Sequence, residues 1–284
     1  MIHLGIMQGR LVPPVDNRIQ CFPRDDWADE FSRAAAAGLD CIEWIYDCFG
    51  EDVNPLGTDE GIARMRDLSL QHGVEIRSLC ADYFMDRPLV RVTEEVRMER
   101  LHKLEWLLNQ CRLAGIKRIV LPFVDQSAIT TPAEEESVVR SLQPALPVAE
   151  KNGVEIHMET SLDPDSFRSL LARLVHPFLK VNYDSGNSAS LGYHPREEFA
   201  AYGERIGSVH IKDRKLNGGT VPLGTGDTDF AALFAGLSEL RYTGDFILQV
   251  ARGRSGAEVD WARQNRAFVQ KWLTQRQING PKSL

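Results

Sequence analysis

The sequence has no C-x-x-C pair, no G-x-G-x-x-G turn, no basic leader and no apolar run approaching about 18 residues. The five cysteines, Cys21, Cys41, Cys48, Cys80 and Cys111, form no framework of spacings, which points to reduced thiols, mostly in the core. The opening IHLGIM is too short for the apolar part of a signal peptide and has no basic stretch before it, so a cytoplasmic protein is expected. Without a long apolar run, no membrane span is expected either. Basic charge is also in short supply. With 33 Lys and Arg against 40 Asp and Glu, the net charge of -7 argues against a surface built for phosphate backbones, so no nucleic-acid partner is expected. Net charge says little about one cleft, and a local basic pocket stays compatible with it.

What is present is a repeated alternation. Eight short apolar runs read as strands: 2–7, 41–45, 74–80, 118–123, 154–159, 179–184, 207–212 and 245–250. Helical patterns separate them, and Gly38, Gly73, Gly115 and Gly153 each stand where a helix should stop. The first helix is expected to be capped by the Asp25–Asp26 pair. Eight strands alternating with eight helices over 284 residues suggest one closed (β/α)8 TIM barrel, over residues 1–275, with a C-terminal tail over 276–284. The rival, an open doubly wound sheet, would want a glycine-rich phosphate turn after the first strand, and GIMQGR is not one.

In such a barrel, side chains from several strand ends converge on one mouth. Glu159, Asp184, His210 and Gln249 each sit at or near the end of a late strand, about one βα unit apart. Any one of them alone is an ordinary solvated or core polar residue; four in register make a candidate divalent-metal site. Two carboxylates, an imidazole and a carboxamide suit Mn, Mg or Co, accept Zn, and imply no thiolate site.

The runs HMET, NYDSGN, VHIKD and PLGTGDTDF, taken together, resemble the sugar phosphate isomerase/epimerase family of xylose-isomerase-like TIM barrels, over essentially the whole chain. The resemblance implies a divalent metal held by Glu, Asp, His and a second Glu. It also implies a proton shuttled by the two glutamates through a cis-enediolate beside a ketose carbonyl. Glu159, Asp184 and His210 match the first three ligands. Gln249 stands where the family usually has Glu; it offers an oxygen but accepts no proton at neutral pH. Asn187 stands where sugar epimerases often carry a substrate-binding His. The implied activity is therefore a metal-dependent isomerase or epimerase of a small sugar or sugar phosphate, with Glu159 and Gln249 as the catalytic positions. The departures fit single-base chemistry better than standard 3-epimerisation. A sugar dehydratase or lyase, or a barrel that binds sugar without turnover, stays open. The resemblance also makes a homo-oligomer compatible.

Other mouth residues carry two readings each. Glu43 suits a substrate hydroxyl or a neighbouring arginine, and Trp44, Tyr46 and Phe49 suit an apolar wall or the core. Arg10, Lys212, Arg214 and Arg252 suit an anionic substrate end or ordinary structural bonds. Asp82 is a candidate for the missing second acid, and Asp213 is expected to orient His210 or its loop. Asp227 and Asp229 read as helix caps. An AP-endonuclease-like phosphodiesterase would need a histidine-rich multi-zinc cluster, and the chain has seven histidines in all.

Overall fold

A computed structural model describes residues 2–279. Eight strands close into an all-parallel barrel in sequence order: β1 Leu4–Met7, β2 Cys41–Ile45, β3 Glu75–Cys80, β4 Arg118–Phe123, β5 Glu155–Thr160, β6 Leu179–Asp184, β7 Ile206–Ile211 and β8 Phe246–Leu248. Closure is made by Leu4, Gly5 and Ile6 of β1 pairing with Phe246, Ile247 and Leu248 of β8. This is the expected (β/α)8 architecture. β8 stops one residue short of Gln249, whose backbone N–H still donates to Ile211 O at 3.1 Å and continues the ladder.

Among the described residues, ten α-helices accompany the barrel: α1 Asp29–Ala37, α2 Asp59–His72, α3 Tyr83–Asp86, α4 Glu94–Ala114, α5 Pro132–Asn152, α6 Pro164–Arg173, α7 Ser185–Leu191, α8 Pro195–Tyr202, α9 Phe230–Glu239 and α10 Glu258–Asn279. Two of them, α3 and α7, lie outside the expected eight: α3 is a single turn soon after β3, and α7 is a short helix that follows β6 directly. The four expected stop glycines all take left-handed φ, between 64° and 82°. The cap expected from Asp25 and Asp26 is not there: α1 begins after Ala28, without a side-chain cap. The last helix runs past the expected boundary at 275, and residues 280–284 of the expected tail lie outside the described residues. No described helix is long and apolar enough to cross a membrane.

Between sheet and helices lies the apolar core, whose largest buried members include Trp44, Tyr46, Phe31 and Phe234. Inside the barrel the picture is different. A strand repeats every two residues, so positions 157 and 159, 182 and 184, and 208 and 210 share the inward face. His157 Nδ1 lies 2.7 Å from Ser208 Oγ, Ser208 donates to Asn182 Oδ1 at 2.6 Å, and Asn182 Nδ2 donates to Glu159 Oε2 at 2.9 Å. A satisfied polar layer therefore supports the mouth from below. Register shifts at Ile42/Glu43 and Val181/Asn182 re-aim β2 and β6 just beneath it.

One buried carboxyl braces the first loop. Glu30 of α1 accepts from Gly9 N at 2.7 Å and Leu11 N at 3.2 Å, while its second oxygen has no partner. Burial outweighs these bonds and pushes its pKa up from 4.5 to about 7. The folded state then holds a proton the unfolded state releases, so this group favours folding below pH 4.5 and loses that contribution as pH rises through 7. Glu30→Gln is expected to stabilise the protein at pH 8 by about 1–3 kcal/mol, with the gain vanishing near pH 4.5. Thermal melts of both proteins across that range check it; a gain independent of pH would refute it.

Candidate active site at the barrel mouth

Glu159, Asp184 and His210 come from three adjacent strands, and one ligand atom of each lies within 4.8 Å of the others. His210 Nδ1 is 3.3 Å from Glu159 Oε2 and 3.9 Å from Asp184 Oδ2. Its other nitrogen, Nε2, sits 2.6 Å from Glu43 Oε1 on β2, and both side chains are fully buried. With Nε2–H donated to Glu43, the Nδ1 lone pair faces two carboxylates, and it has no hydrogen-bond partner. Lone pairs turned on one another at such distances need a positive occupant. A proton is one: burial opposes the charge, but Glu43 and Glu159 outweigh it and hold His210 up at about 10. A divalent cation is the other, and the donor set fits it.

The two carboxylates are held in different ways. Asp184 Oδ1 accepts from Gly186 N at 2.9 Å and Asn187 N at 2.8 Å, capping α7 and leaving Oδ2 toward His210. Glu159 is gripped by two amides, Asn182 on Oε2 and Asn187 on Oε1, at 2.9 and 2.7 Å. The fourth corner differs from a ligand. Gln249 Oε1 accepts from Lys212 Nζ at 3.0 Å, and its amide donates to Gln20 Oε1 at 3.1 Å. The same ammonium lies 3.3 Å from Asp184 Oδ2 and 3.2 Å from Asn187 Oδ1. Gly186 makes room for it, since a Cβ there would meet Lys212 Cγ at 2.6 Å.

Above the triad lies a cavity of about 450 Å3, lined by Glu159, Asn187, Lys212, Arg214 and Gln249 from the late strands and their loops. From the early half come Arg10, Arg18, Gln20, Phe49 and Asp82. Of the candidate aromatic wall, Phe49 reaches the cavity, with the Arg18 guanidinium 3.5 Å over its ring. Trp44 alternates outward, packs against Phe22, Trp27 and Phe31, and donates to Asn54 Oδ1 at 3.1 Å. Tyr46 follows the same outward alternation and contacts Tyr83 and Trp106.

Several candidate substrate contacts have structural partners. Glu43 lies below the cavity on His210 instead of at a substrate hydroxyl. Arg10 bonds Val250 O at 2.9 Å, Gln20 Oε1 at 3.1 Å and Ile19 O; burial, reinforced by Arg252, lowers its pKa to about 9. Arg252 bonds Val12 O at 3.0 Å and Ile19 O at 3.1 Å, so both arginines tie the 12–20 loop to the end of β8. Arg214 holds Gly218 O and gives Nη1 to Asn187 Oδ1 at 2.8 Å. Asp213 does not reach His210. It accepts from the backbone N–H of Gly224, Gly226 and Thr228, pinning the glycine loop so closely that a Cβ at Gly226 would collide with it. Asp229 caps α9 as expected, whereas Asp227 accepts from Leu216 N. Arg18, Gln20 and the Asn182–Ser208–His157 layer were absent from the sequence reading. The layer has a sequence signal, a polar residue two places before each of the three candidate ligands; Arg18 and Gln20 have none, being in an irregular loop.

Residues 31–272 match the sequence pattern of the xylose isomerase-like TIM barrel family. A putative L-ribulose-5-phosphate 3-epimerase of Haemophilus influenzae is 22% identical over 274 residues, covering 88% of this chain and 91% of that protein. Among solved structures, an L-ribulose 3-epimerase superposes with a TM-score of 0.76 at 16% identity and 100% coverage of both chains. The IolI protein with a bound zinc atom gives 0.75 at 18% identity, covering 95% of this chain and 99% of that one. A sequence match running from the first helix into the last, on a closed eight-stranded barrel, places this chain in the xylose isomerase-like TIM barrel family.

Proposed function

We propose that this protein is a divalent-metal-dependent isomerase or epimerase of a small sugar or sugar phosphate. The observation that carries the reading is the buried His210 Nδ1, unpartnered and facing Asp184 and Glu159, of which Glu159 lines the cavity. Glu159, Asp184 and His210 would hold the metal, with the Gln249 oxygen as a fourth donor once Lys212 yields it. When bound, the ion supplies Lewis-acid polarisation of a substrate carbonyl.

Glu159 is the base. Its carboxylate, steadied by Asn182 and Asn187, takes the proton from the carbon beside the carbonyl, and the electron pair moves onto the carbonyl oxygen to give an enediolate. Glu43 keeps His210 in the tautomer and orientation the site needs. Arg18 and Arg214 line the cavity and suit an anionic substrate end such as a phosphate. The relatives named as L-ribulose-5-phosphate and L-ribulose 3-epimerases make five-carbon ketoses and their phosphates the first substrates to try.

A second reading, a barrel that binds sugar without turnover, is favoured by Lys212 occupying the Gln249 corner. One experiment separates the two. Protein purified without chelator or His tag is assayed for bound metal, alongside Glu159→Ala and His210→Ala, then incubated with L-ribulose 5-phosphate, L-ribulose and D-allulose in deuterated water. The expected result is a stoichiometric divalent ion, lost in both variants, and deuterium entering beside the carbonyl. No metal binding in excess metal refutes the proposal; metal without exchange leaves the sugar-binding barrel.

A further inference from the structure

Inverting a stereocentre through an enediolate requires one group to remove a proton on one face and another to deliver one on the other. Glu159 supplies the first, and Gln249 has no proton to exchange at neutral pH. Five carboxyl groups line the cavity: Asp47, Asp82, Asp86, Asp125 and Glu159. Asp86 and Asp125 are solvent-exposed. Asp47 is buried but occupied, accepting from Phe22 N at 2.7 Å, Phe49 N at 3.1 Å and Gly50 N at 2.9 Å. Asp82 remains.

Asp82 stands at the residue before α3, where an aspartate ordinarily caps the helix, yet its side chain makes no capping bond. It is buried against the cavity instead, with Gln20 Nε2 donating to Oδ2 at 2.8 Å and Cys80 Sγ at 3.2 Å from Oδ1. Gln20 in turn accepts from Gln249 Nε2 and from Arg10 Nη2, each at 3.1 Å. A hydrogen-bonded chain thus runs from the position of the absent acid to a carboxyl that is present. Asp82 follows β3, so it approaches the cavity from the side of β5 away from Asp184 and His210.

We infer that Asp82 is the second acid–base residue of this site, taking over the proton delivery that Gln249 cannot perform; the inference rests on the isomerase/epimerase reading above. After Glu159 has taken the C–H proton, the Asp82 carboxyl gives its O–H proton to the opposite face of the enediolate. A C–H bond forms there and the electron pair on oxygen restores the carbonyl. Glu159 ends protonated and Asp82 ionised, and both return to their starting states by proton exchange with water at the mouth. Burial, with Asp47 and Glu159 adding to it against the Gln20 and Cys80 bonds, raises the Asp82 pKa from 3.8 to about 6. A proton donor works best near the operating pH, and this value brings Asp82 toward it.

The test uses the metal-loaded wild type, Asp82→Asn and Asp82→Glu, with L-ribulose 5-phosphate and D-allulose as probes in deuterated water. In Asp82→Asn, epimer formation is expected to fall at least about a hundredfold while deuterium exchange beside the carbonyl, driven by Glu159, stays within about tenfold of wild type. Asp82→Glu is expected to recover part of the loss, which a merely structural role would not allow. A carbon-13 titration of the Asp82 carboxyl, assigned by its absence from Asp82→Asn, is expected to show a midpoint near pH 6. Epimerisation undiminished in Asp82→Asn, or equal loss of exchange and epimerisation without rescue by glutamate, overturns the inference and leaves the isomerase reading intact. Wild type that exchanges no proton on either ketose overturns both.

Discussion

Glu159→Gln is expected to lower proton exchange beside the substrate carbonyl by about 10^4-fold, at the upper end of what a single general base contributes. The substitution keeps the side chain's volume and removes its basicity. It also disturbs the grip on that side chain, because Asn182 Nδ2 and Asn187 Nδ2 each donate to one carboxylate oxygen. A glutamine amide must turn its NH2 toward one of these donors, so one hydrogen bond is replaced by a clash of donors. Metal affinity should fall as well, since one of the two carboxylates facing His210 Nδ1 loses its charge. Exchange in deuterated water, followed by NMR at saturating metal, separates the two effects. If exchange at saturating metal stays within about tenfold of wild type, Glu159 is not the base and the mechanism must be rebuilt around another group.

The barrel was legible because its signals are local: apolar runs of strand length, amphipathic stretches of helix length, and glycines that stop helices in a left-handed turn. The triad was legible for a related reason. Each member stands at the end of its own strand or one residue before it, and closing the barrel turns spacing along the chain into proximity in space. The pairings that govern the site are not local. Glu43 and His210 lie on β2 and β7, which are not neighbours in the sheet, and they meet only because both point into the barrel. Lys212 continues β7 past His210, where its sequence position suits an anionic substrate end or an ordinary structural bond; Gly186 opens the space that lets it turn back to Asp184 and Gln249. Arg10 and Arg252 illustrate the converse. Their position at the mouth was apparent, but their donors go to backbone carbonyls of an irregular loop, whose course no periodicity announces. Asp213 likewise proved to serve the glycine loop that follows it.

Lys212 also alters what the glutamine at 249 means. Its ammonium touches Asp184 Oδ2, Asn187 Oδ1 and Gln249 Oε1 within 3.3 Å, so a cation bound by the triad shares Asp184 with a fixed positive charge. Restoring a carboxylate by Gln249→Glu alone is expected to tighten divalent-metal binding by about thirtyfold, the weight of one new negative charge while Lys212 keeps its own. Lys212→Met combined with Gln249→Glu is expected to tighten it about a thousandfold. At an effective dielectric of about 20, a unit charge about 5 Å from a divalent ion weighs several kcal/mol. Solvent and salt at an open mouth reduce this to about 2 kcal/mol for each of the two changes. Calorimetric titration of Mn2+ into the wild type, both single variants and the double variant gives the cycle, and its coupling energy isolates the contact between the two side chains. A gain already complete in Gln249→Glu would mean that the ammonium moves aside at no cost and that the missing carboxylate alone limits the site. A gain confined to the double variant would show that Lys212 and Gln249 act as one unit, a hydrogen-bonded pair with the ammonium held where a fourth charged ligand would otherwise stand.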